Sequence, residues 1–177
     1  FLMEKVSLFE ISLHRVHIEE WKDKKDYILS LIPFDNEEAI DENISFSDYW
    51  IDNDIPTYGN TFHEIIRPYI DEFHKVSPYK FQRLTKMWCH RYKVGDYFQP
   101  HTHGPIGYSA VFYAEYNKDH HKSTRFFSPF MAEYGDFENM SLDVNEGDLI
   151  IFPSNLSHMA PPNYSNIDRT IISFNLN

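Results

Sequence analysis

The chain has 177 residues, which suits one domain with a sizeable hydrophobic core. Its 16 basic and 27 acidic residues give a net charge of −11, which argues against nucleic acid as a direct partner. The lone cysteine, Cys89, excludes an internal disulfide and a zinc–thiolate site, and it suits a reducing compartment. No apolar run reaches the roughly 18 residues of a membrane span and no signal-peptide pattern opens the chain. We therefore expect a cytoplasmic protein without a membrane partner.

The N-terminal part of the chain predicts a strand, a helix and an acidic segment. Alternating apolar residues favour a strand over 5–13, and helical spacing with a charged face favours a helix over 18–31. The segment 34–60 is acidic and rich in turn residues, and Trp50 and Tyr58 are its expected apolar anchors. We hypothesise that this segment covers a binding site as a lid.

A second helix and a series of short strands follow. The sequence Thr61–Glu64 predicts a capping box that opens a helix through about residue 75, with Pro68 expected to kink that helix or delay its start. Apolar and aromatic runs separated by turn residues then predict strands at 84–93, 97–102, 108–115, 124–128, 139–143, 148–152 and 169–176. Their spacing, with 17 % aromatic residues, favours a sandwich or jelly roll. The prediction is one α+β, mainly β domain over 1–177, with 1–83 as support for a core at 84–177.

Two histidines mark the first candidate site. His101 and His103 are separated by one residue, so in a strand both imidazoles point to one face. Neutral imidazole is a good ligand for Fe(II), Ni, Cu or Zn. The alternative is a polar strand edge with two exposed histidines. His158, in a loop expected after the buried strand 148–152, would supply a third imidazole and turn the pair into a facial metal site.

The C-terminal strand carries a candidate anion-binding group. Arg169 and Ser173 share one face of this strand, and an inward guanidinium would need an anionic partner. A carboxylate bound through two hydrogen bonds is the natural partner. The alternative is an outward Arg169 paired with Asp168 or another surface acid.

Half of the chain resembles the Fe(II)- and 2-oxoglutarate-dependent oxygenases, with their double-stranded β-helix core. It is most similar to a small, uncharacterised group with a His-x-His first motif and a core like that of the prolyl hydroxylases. The segments that carry the resemblance are YKVGDYFQPHTH (92–103), SAVFY (109–113), GDLIIFPSNLSH (147–158) and RTIISFN (169–175).

The resemblance implies a role for each site residue. His101 and His158 would be the imidazole ligands of Fe(II), and Arg169 would bind the distal carboxylate of 2-oxoglutarate beside Ser173. Tyr113 matches a tyrosine that supports this carboxylate, although an ordinary core tyrosine is an equal alternative. The usual first motif has Asp or Glu where this chain has His103. Iron is then held by three histidines, or His103 lies outside the ligand set and another group completes it.

The implied activity is that of a dioxygenase that couples decarboxylation of 2-oxoglutarate by O2 to oxygenation of a C–H bond. A hydroxylase of a peptidyl residue, an amino acid or a small metabolite is expected, and no general acid or base is assigned. One alternative is a three-histidine cupin-type metalloenzyme, because Gly95 and the His-x-His pair also fit the first cupin motif. The glutamate that cupins place shortly after this pair is absent. The other alternative is a barrel that binds without catalysis.

Overall fold

The computed structural model describes residue 4 and residues 10–51, 55–78, 83–131 and 135–177, apart from the side chain of Phe137. Two helices and ten strands follow one another along these residues. They are β1 (His14–His17), α1 (Trp21–Ser30), β2 (Phe46–Ser47), α2 (Thr57–Val76), β3 (Leu84–Tyr92), β4 (Phe98–His101), β5 (Tyr108–Glu115), β6 (Arg125–Met131), β7 (Phe137–Ser141), β8 (Asp148–Pro153), β9 (His158–Ala160) and β10 (Arg169–Leu176). Within the described residues no helix is long and apolar enough to cross a lipid bilayer.

The strands form two antiparallel sheets. The larger sheet has the order β1-β8-β5-β10-β3-β2, and the smaller has the order β4-β9-β6-β7. The inner faces of the two sheets meet, because Phe126 of the smaller sheet packs on Phe152 of the larger, with 5.0 Å between ring centroids. The predicted α+β, mainly β class with a jelly-roll core is confirmed.

The alternation of side chains gives the larger sheet two buried faces. On β10, Ile171 joins the cluster between the sheets, whereas its neighbour Ile172 joins the cluster under the helices. Such strands read as continuous apolar runs because both faces are covered. Each large side chain buried in this way contributes roughly 1.5–3 kcal/mol to folding.

The two helices cover the outer face of the larger sheet. The Trp21 and Phe62 rings pack against the ring of Phe112, at centroid distances of 4.6 Å and 5.0 Å. The indole N–H of Trp21 donates to the carbonyl of Ala114 at 3.0 Å, so a buried polar group is satisfied. Within the described residues the helices and the larger sheet share this core, and the single domain over 1–177 stays a prediction.

The N-terminal elements differ from the sequence-based expectations. Of the strand expected at 5–13, residues 5–9 lie outside the described part, and residues 10–13 form no strand. The described strand begins at His14, where pairing with β8 becomes available. Tyr58 is buried as expected, but Trp50 is 73 % exposed and is not a core anchor.

Helix α2 also begins earlier than the capping box predicts. Pro56 is its N-cap residue, so Thr61 lies inside the helix. The fixed φ angle of proline suits a helix start, and apolar side chains of the first turns already pack on the sheet. Pro68 lies within the continuous helix at an exposed position.

Candidate metal centre and adjoining cavity

Two paired strands and one short loop bring the three predicted histidines together. The residues His101 of β4 and His158 of β9 are direct partners in the antiparallel register. His103 follows the end of β4, and its backbone N–H donates to the carbonyl of Ser154 at 2.8 Å. The expectation that His101 and His103 share one strand is therefore wrong, as is a loop position for His158. Their imidazoles converge nevertheless.

The imidazole nitrogens of the three histidines have the spacing of ligands to one ion. One nitrogen from each of His101, His103 and His158 lies within 4.8 Å of the others. The Nε2 atoms of His103 and His158 are 3.2 Å apart. Two nitrogens that each lie about 2.1 Å from one ion, at a right angle, are separated by about 3 Å. The arrangement matches two neighbouring corners of a facial site.

Backbone carbonyls set the tautomers of two of these rings. His101 Nδ1 donates to the carbonyl of Gln99, and His158 Nδ1 donates to the carbonyl of Leu156, each at 2.9 Å. Since a carbonyl only accepts, the proton is on Nδ1 and the lone pair is on Nε2 in each of these two rings. Histidines that bind metals are commonly oriented in this way.

The electrostatic environment keeps the imidazoles neutral. Burial, with smaller contributions from neighbouring histidines, lowers the pKa of His103 and of His158 to about 3. Burial also lowers the pKa of His101. Neutral imidazole is the form that binds a metal, so all three rings are ready as ligands near neutral pH.

The donor set fits a divalent transition metal. Among the described residues, the cluster contains three imidazoles and no carboxylate. Nitrogen ligands of this kind suit Fe(II), Zn or Cu, and a facial triad leaves positions open for other ligands. A third imidazole adds no negative charge, so a bound ion would keep its full positive charge.

The histidines line one end of a cavity of about 180 Å³. Most of the wall is apolar and aromatic, with Trp88, Phe98, Val111 and Ile171 as examples. Besides the triad, the wall carries the polar side chains of Asp41, Tyr49, His90, Tyr92, Thr102, Thr124 and Ser173. Apolar walls with a few placed polar groups are typical of small-molecule sites.

Arg169 lies buried at the start of β10, next to this cavity. It is only 2 % exposed, which contradicts an outward position paired with Asp168. Its guanidinium donates to the carbonyls of Lys122 and Pro161, at 2.7 and 2.8 Å, and stacks on the Tyr92 ring at 4.5 Å. No carboxylate of the described residues pairs with it. Two of its five N–H donors are used in these bonds.

The other two predicted co-substrate contacts differ in their availability. Ser173 lines the cavity. The Tyr113 hydroxyl donates to Thr124 Oγ1 at 2.9 Å and accepts from the backbone N–H of Thr124 at 3.1 Å. Thr124 lines the cavity, whereas Tyr113 does not and reaches it only through its hydrogen bonds to Thr124. The proposed role of Tyr113 toward a carboxylate stays a prediction.

Two polar cavity residues, His90 and Tyr92, were not predicted from the sequence. Both lie on β3, which runs beside β10 with Tyr92 opposite Arg169 and His90 opposite Ile171. The period-2 alternation of β3 was a usable signal, because it places Trp88, His90 and Tyr92 on one face. The sequence alone does not show that this face is turned toward the histidine cluster.

Solved structures with the same fold include prolyl hydroxylases and an alpha-ketoglutarate-dependent carbocyclase. The chain is similar to viral collagen prolyl hydroxylase vCPH from Paramecium bursaria Chlorella virus-1 in its 2OG complex, with a TM-score of 0.66, 11 % identity and coverage of 93 % of this chain and 94 % of that one. A Pseudomonas putida prolyl-4-hydroxylase matches with a TM-score of 0.59 and 15 % identity, and the match covers 94 % of this chain and 92 % of the hydroxylase. The carbocyclase SnoK from nogalamycin biosynthesis matches with a TM-score of 0.65 and 11 % identity, and the match covers 94 % of this chain and 79 % of SnoK. At such identities these likenesses show the fold, a double-stranded β-helix.

The sequence itself gives the family. No curated protein matches the chain significantly. The sequence profile of the family described as "Putative 2OG-Fe(II) oxygenase" matches residues 86–175, which make up just over half of the chain. This span runs from within β3 to within β10 and contains all three clustered histidines and Arg169. The chain therefore belongs to this family of 2OG-Fe(II) oxygenases.

Proposed function

We propose that this protein is an Fe(II)- and 2-oxoglutarate-dependent dioxygenase that hydroxylates a peptidyl residue, an amino acid or a small metabolite. One observation carries the proposal. Three neutral imidazoles converge at a cavity beside which a buried guanidinium has no carboxylate partner among the described residues. A buried charge of this kind calls for an anionic ligand.

His101, His103 and His158 would hold the metal. Bound Fe(II) would supply the chemistry that couples the oxidation of 2-oxoglutarate by O2, to succinate and CO2, to the conversion of a substrate C–H bond to C–OH. The carbonyls of Gln99 and Leu156 keep two of the rings in the ligand tautomer. The protein contributes geometry and electrostatics, and the site needs no general acid or base.

Arg169 would bind the distal carboxylate of 2-oxoglutarate. Its stacking on Tyr92 and its two carbonyl acceptors hold the guanidinium in one orientation, so little freedom is lost when the anion binds. Ser173 would add a hydroxyl donor from the same strand face. Apolar walls keep water away from this ion pair, which strengthens it.

The substrate would enter beside the acidic N-terminal segment. Asp41, Tyr49 and Trp50 from this segment line the cavity, as the lid hypothesis requires. Trp50 is 73 % exposed, and its indole N–H donates to Asp41 Oδ2 at 3.2 Å. Neighbours in fold include prolyl hydroxylases and the carbocyclase SnoK, so both peptides and small molecules are plausible substrate classes.

The test is an anaerobic titration of Fe(II)-loaded protein with 2-oxoglutarate, followed by visible absorbance. A charge-transfer band would report chelation of the metal by the keto acid.

We expect His158→Ala to abolish stoichiometric iron binding, because it removes one of three ligands. Arg169→Leu should keep the iron but raise the half-saturating concentration of 2-oxoglutarate roughly 10- to 100-fold, and Arg169→Lys should restore part of the affinity.

His120→Ala is the matched control, since this histidine is exposed and lies outside the metal cluster. It should change neither iron stoichiometry nor the band. Iron binding without a band at saturating 2-oxoglutarate would contradict the proposal in favour of a three-histidine cupin-type enzyme. An absence of metal binding would leave a barrel without catalysis.

A further inference from the structure

His90 is a buried imidazole for which the proposed metal and anion sites have no use. It is 5 % exposed and lines the cavity near the C-terminal end of β3. Its Nδ1 is 3.0 Å from the Tyr92 hydroxyl oxygen, whereas its Nε2 is fully buried and meets no hydrogen-bonding partner. Buried polar atoms are nearly always paired, so an orphaned one in a cavity wall points to a ligand.

The hydrogen bond to Tyr92 determines which nitrogen of His90 carries the proton. Burial raises the pKa of Tyr92 well above its ordinary value, so the phenol keeps its hydrogen and needs an acceptor. Among the described residues that acceptor is His90 Nδ1. Burial lowers the pKa of His90 to about 3, so the ring is neutral with a single proton. This proton is therefore on Nε2, which becomes a donor without an acceptor.

The position of His90 lies between the metal ligands and the guanidinium. The ring of Phe98 contacts both His90 and His101, at centroid distances of 5.5 Å and 4.5 Å. Tyr92, the hydrogen-bond partner of His90, in turn has the guanidinium of Arg169 stacked on its ring. A 2-oxo acid that binds the metal at one end and Arg169 at the other would therefore extend alongside His90.

We propose that His90 Nε2–H donates a hydrogen bond to the metal-chelating carboxylate of the bound 2-oxo acid, and that Tyr92 positions this donor. The inference rests on the proposed function and deepens it. The nearness of His90 to His101 favours the chelating end of the ligand, since the distal carboxylate already has Arg169 and Ser173. A hydrogen bond to a carboxylate is stronger than one to a neutral acceptor.

The test compares variants at position 90 for binding of 2-oxoglutarate to the anaerobic Fe(II) protein. Quenching of tryptophan fluorescence gives the Kd, because Trp88 lines the cavity. We expect His90→Phe, which keeps the ring shape, to raise the Kd roughly 10- to 100-fold and to shift the charge-transfer band. His90→Gln, whose amide N–H replaces Nε2–H, should recover most of the affinity. Tyr92→Phe should give a smaller loss.

A truncated ligand shows which end of the keto acid each residue binds. 2-Oxovalerate has the chelating end of 2-oxoglutarate but no distal carboxylate. His90→Phe should weaken both ligands by a similar factor, whereas Arg169→Leu should weaken 2-oxoglutarate alone. If His90→Phe weakened only 2-oxoglutarate, His90 would bind the distal carboxylate and the proposal would be wrong.

Controls separate this inference from the proposed function. Cys89→Ala alters the neighbouring residue, which packs on the helix side of β3, and should leave both Kd values unchanged. If the wild-type protein binds 2-oxoglutarate and His90→Phe binds it equally well, the inference alone fails. If the wild-type protein binds neither acid, the proposed function fails and the inference with it. Should His90→Phe not fold, His90→Gln with Tyr92→Phe decides.

Discussion

At the scale of single residues, the same device orients two of the candidate metal ligands. His101 and His158 each donate from Nδ1 to the carbonyl of the residue two positions earlier. The short sequence distance makes this arrangement a local property of each strand. Neither ring needs a carboxylate from another element to select its tautomer, so both Nε2 lone pairs are directed before any metal binds.

Buried neutral histidines also make the metal-free protein sensitive to acid. An unfolded His90 takes up a proton near pH 6.5, but the folded one does so only near pH 3. Between these values the unfolded state binds more protons, so the free energy of unfolding falls as pH falls. Above about pH 7 the ring is neutral in both states and contributes no pH dependence.

We predict that His90→Phe reduces this acid sensitivity. Well below pH 6.5 the slope of the unfolding free energy should fall by up to about 1.4 kcal/mol per pH unit, the value for one proton. Urea unfolding of the metal-free wild type and variant between pH 4 and pH 8 measures it. Parallel profiles for the two proteins would show that the folded state protonates His90 readily.

At the scale of elements, a strand of three residues, β9, has the largest influence on the candidate site. β9 contains only His158, Met159 and Ala160, yet it pairs with both β4 and β6. The pairing with β4 places His158 opposite His101. Three residues without a clear apolar alternation give no strand signal, which explains why the sequence predicts a loop there.

Helix α2 contains a proline whose replacement should stabilise the protein. Pro68 is exposed within the helix and removes the hydrogen bond to the carbonyl of Glu64. We predict that Pro68→Ala stabilises the protein by about 1–3 kcal/mol, since proline is roughly 3 kcal/mol worse than alanine in a helix interior. Urea unfolding checks this value. Arg67→Ala, at the exposed neighbouring position, should change stability by no more than about 0.5 kcal/mol.

A loss of stability in Pro68→Ala would lead to a different conclusion about α2. It would mean that the proline holds a bend on which the contacts of Ile66 and Ile70 with the sheet depend. Both side chains are buried in the core under the helices. The sign of the change therefore distinguishes a tolerated defect from a shape that the packing requires.

At the scale of the whole molecule, the candidate ligands come from strands that are far apart in sequence. Binding of a metal and a keto acid would therefore tie together both sheets. A ligand that binds only the folded state at 100 times its Kd adds about 2.7 kcal/mol to the free energy of unfolding. For a chain of 177 residues this corresponds to a rise in Tm of about 5–10 °C.

We predict this rise when Fe(II) and 2-oxoglutarate are added together without oxygen. Differential scanning calorimetry measures the Tm, and succinate in place of 2-oxoglutarate gives the reference for a dicarboxylate that lacks the keto group. His158→Ala should abolish the shift produced by Fe(II). An equal rise for 2-oxoglutarate and succinate would contradict chelation of the metal by the keto acid.

The amino-acid sequence by itself determined the class of fold and predicted the residues of the candidate site. Strand alternation and turn residues are local properties, so the strands from β3 to β8 and β10 are predicted within a few residues. His101, His103, His158 and Arg169 could be selected because few other chemistries use these residue types in this order. Burial of Arg169 was one of two open alternatives, because a strand pattern does not say which face is covered.

Only the tertiary structure decided how these residues meet. The register of β4 with β9 unites the histidines, and the pairing of β3 with β10 brings His90 and Tyr92 beside Arg169. The exposure of Trp50 and the early start of α2 also depend on contacts with distant parts of the chain. The physical reason is that register and burial are set by packing between segments tens of residues apart, whereas propensity and periodicity act within one segment.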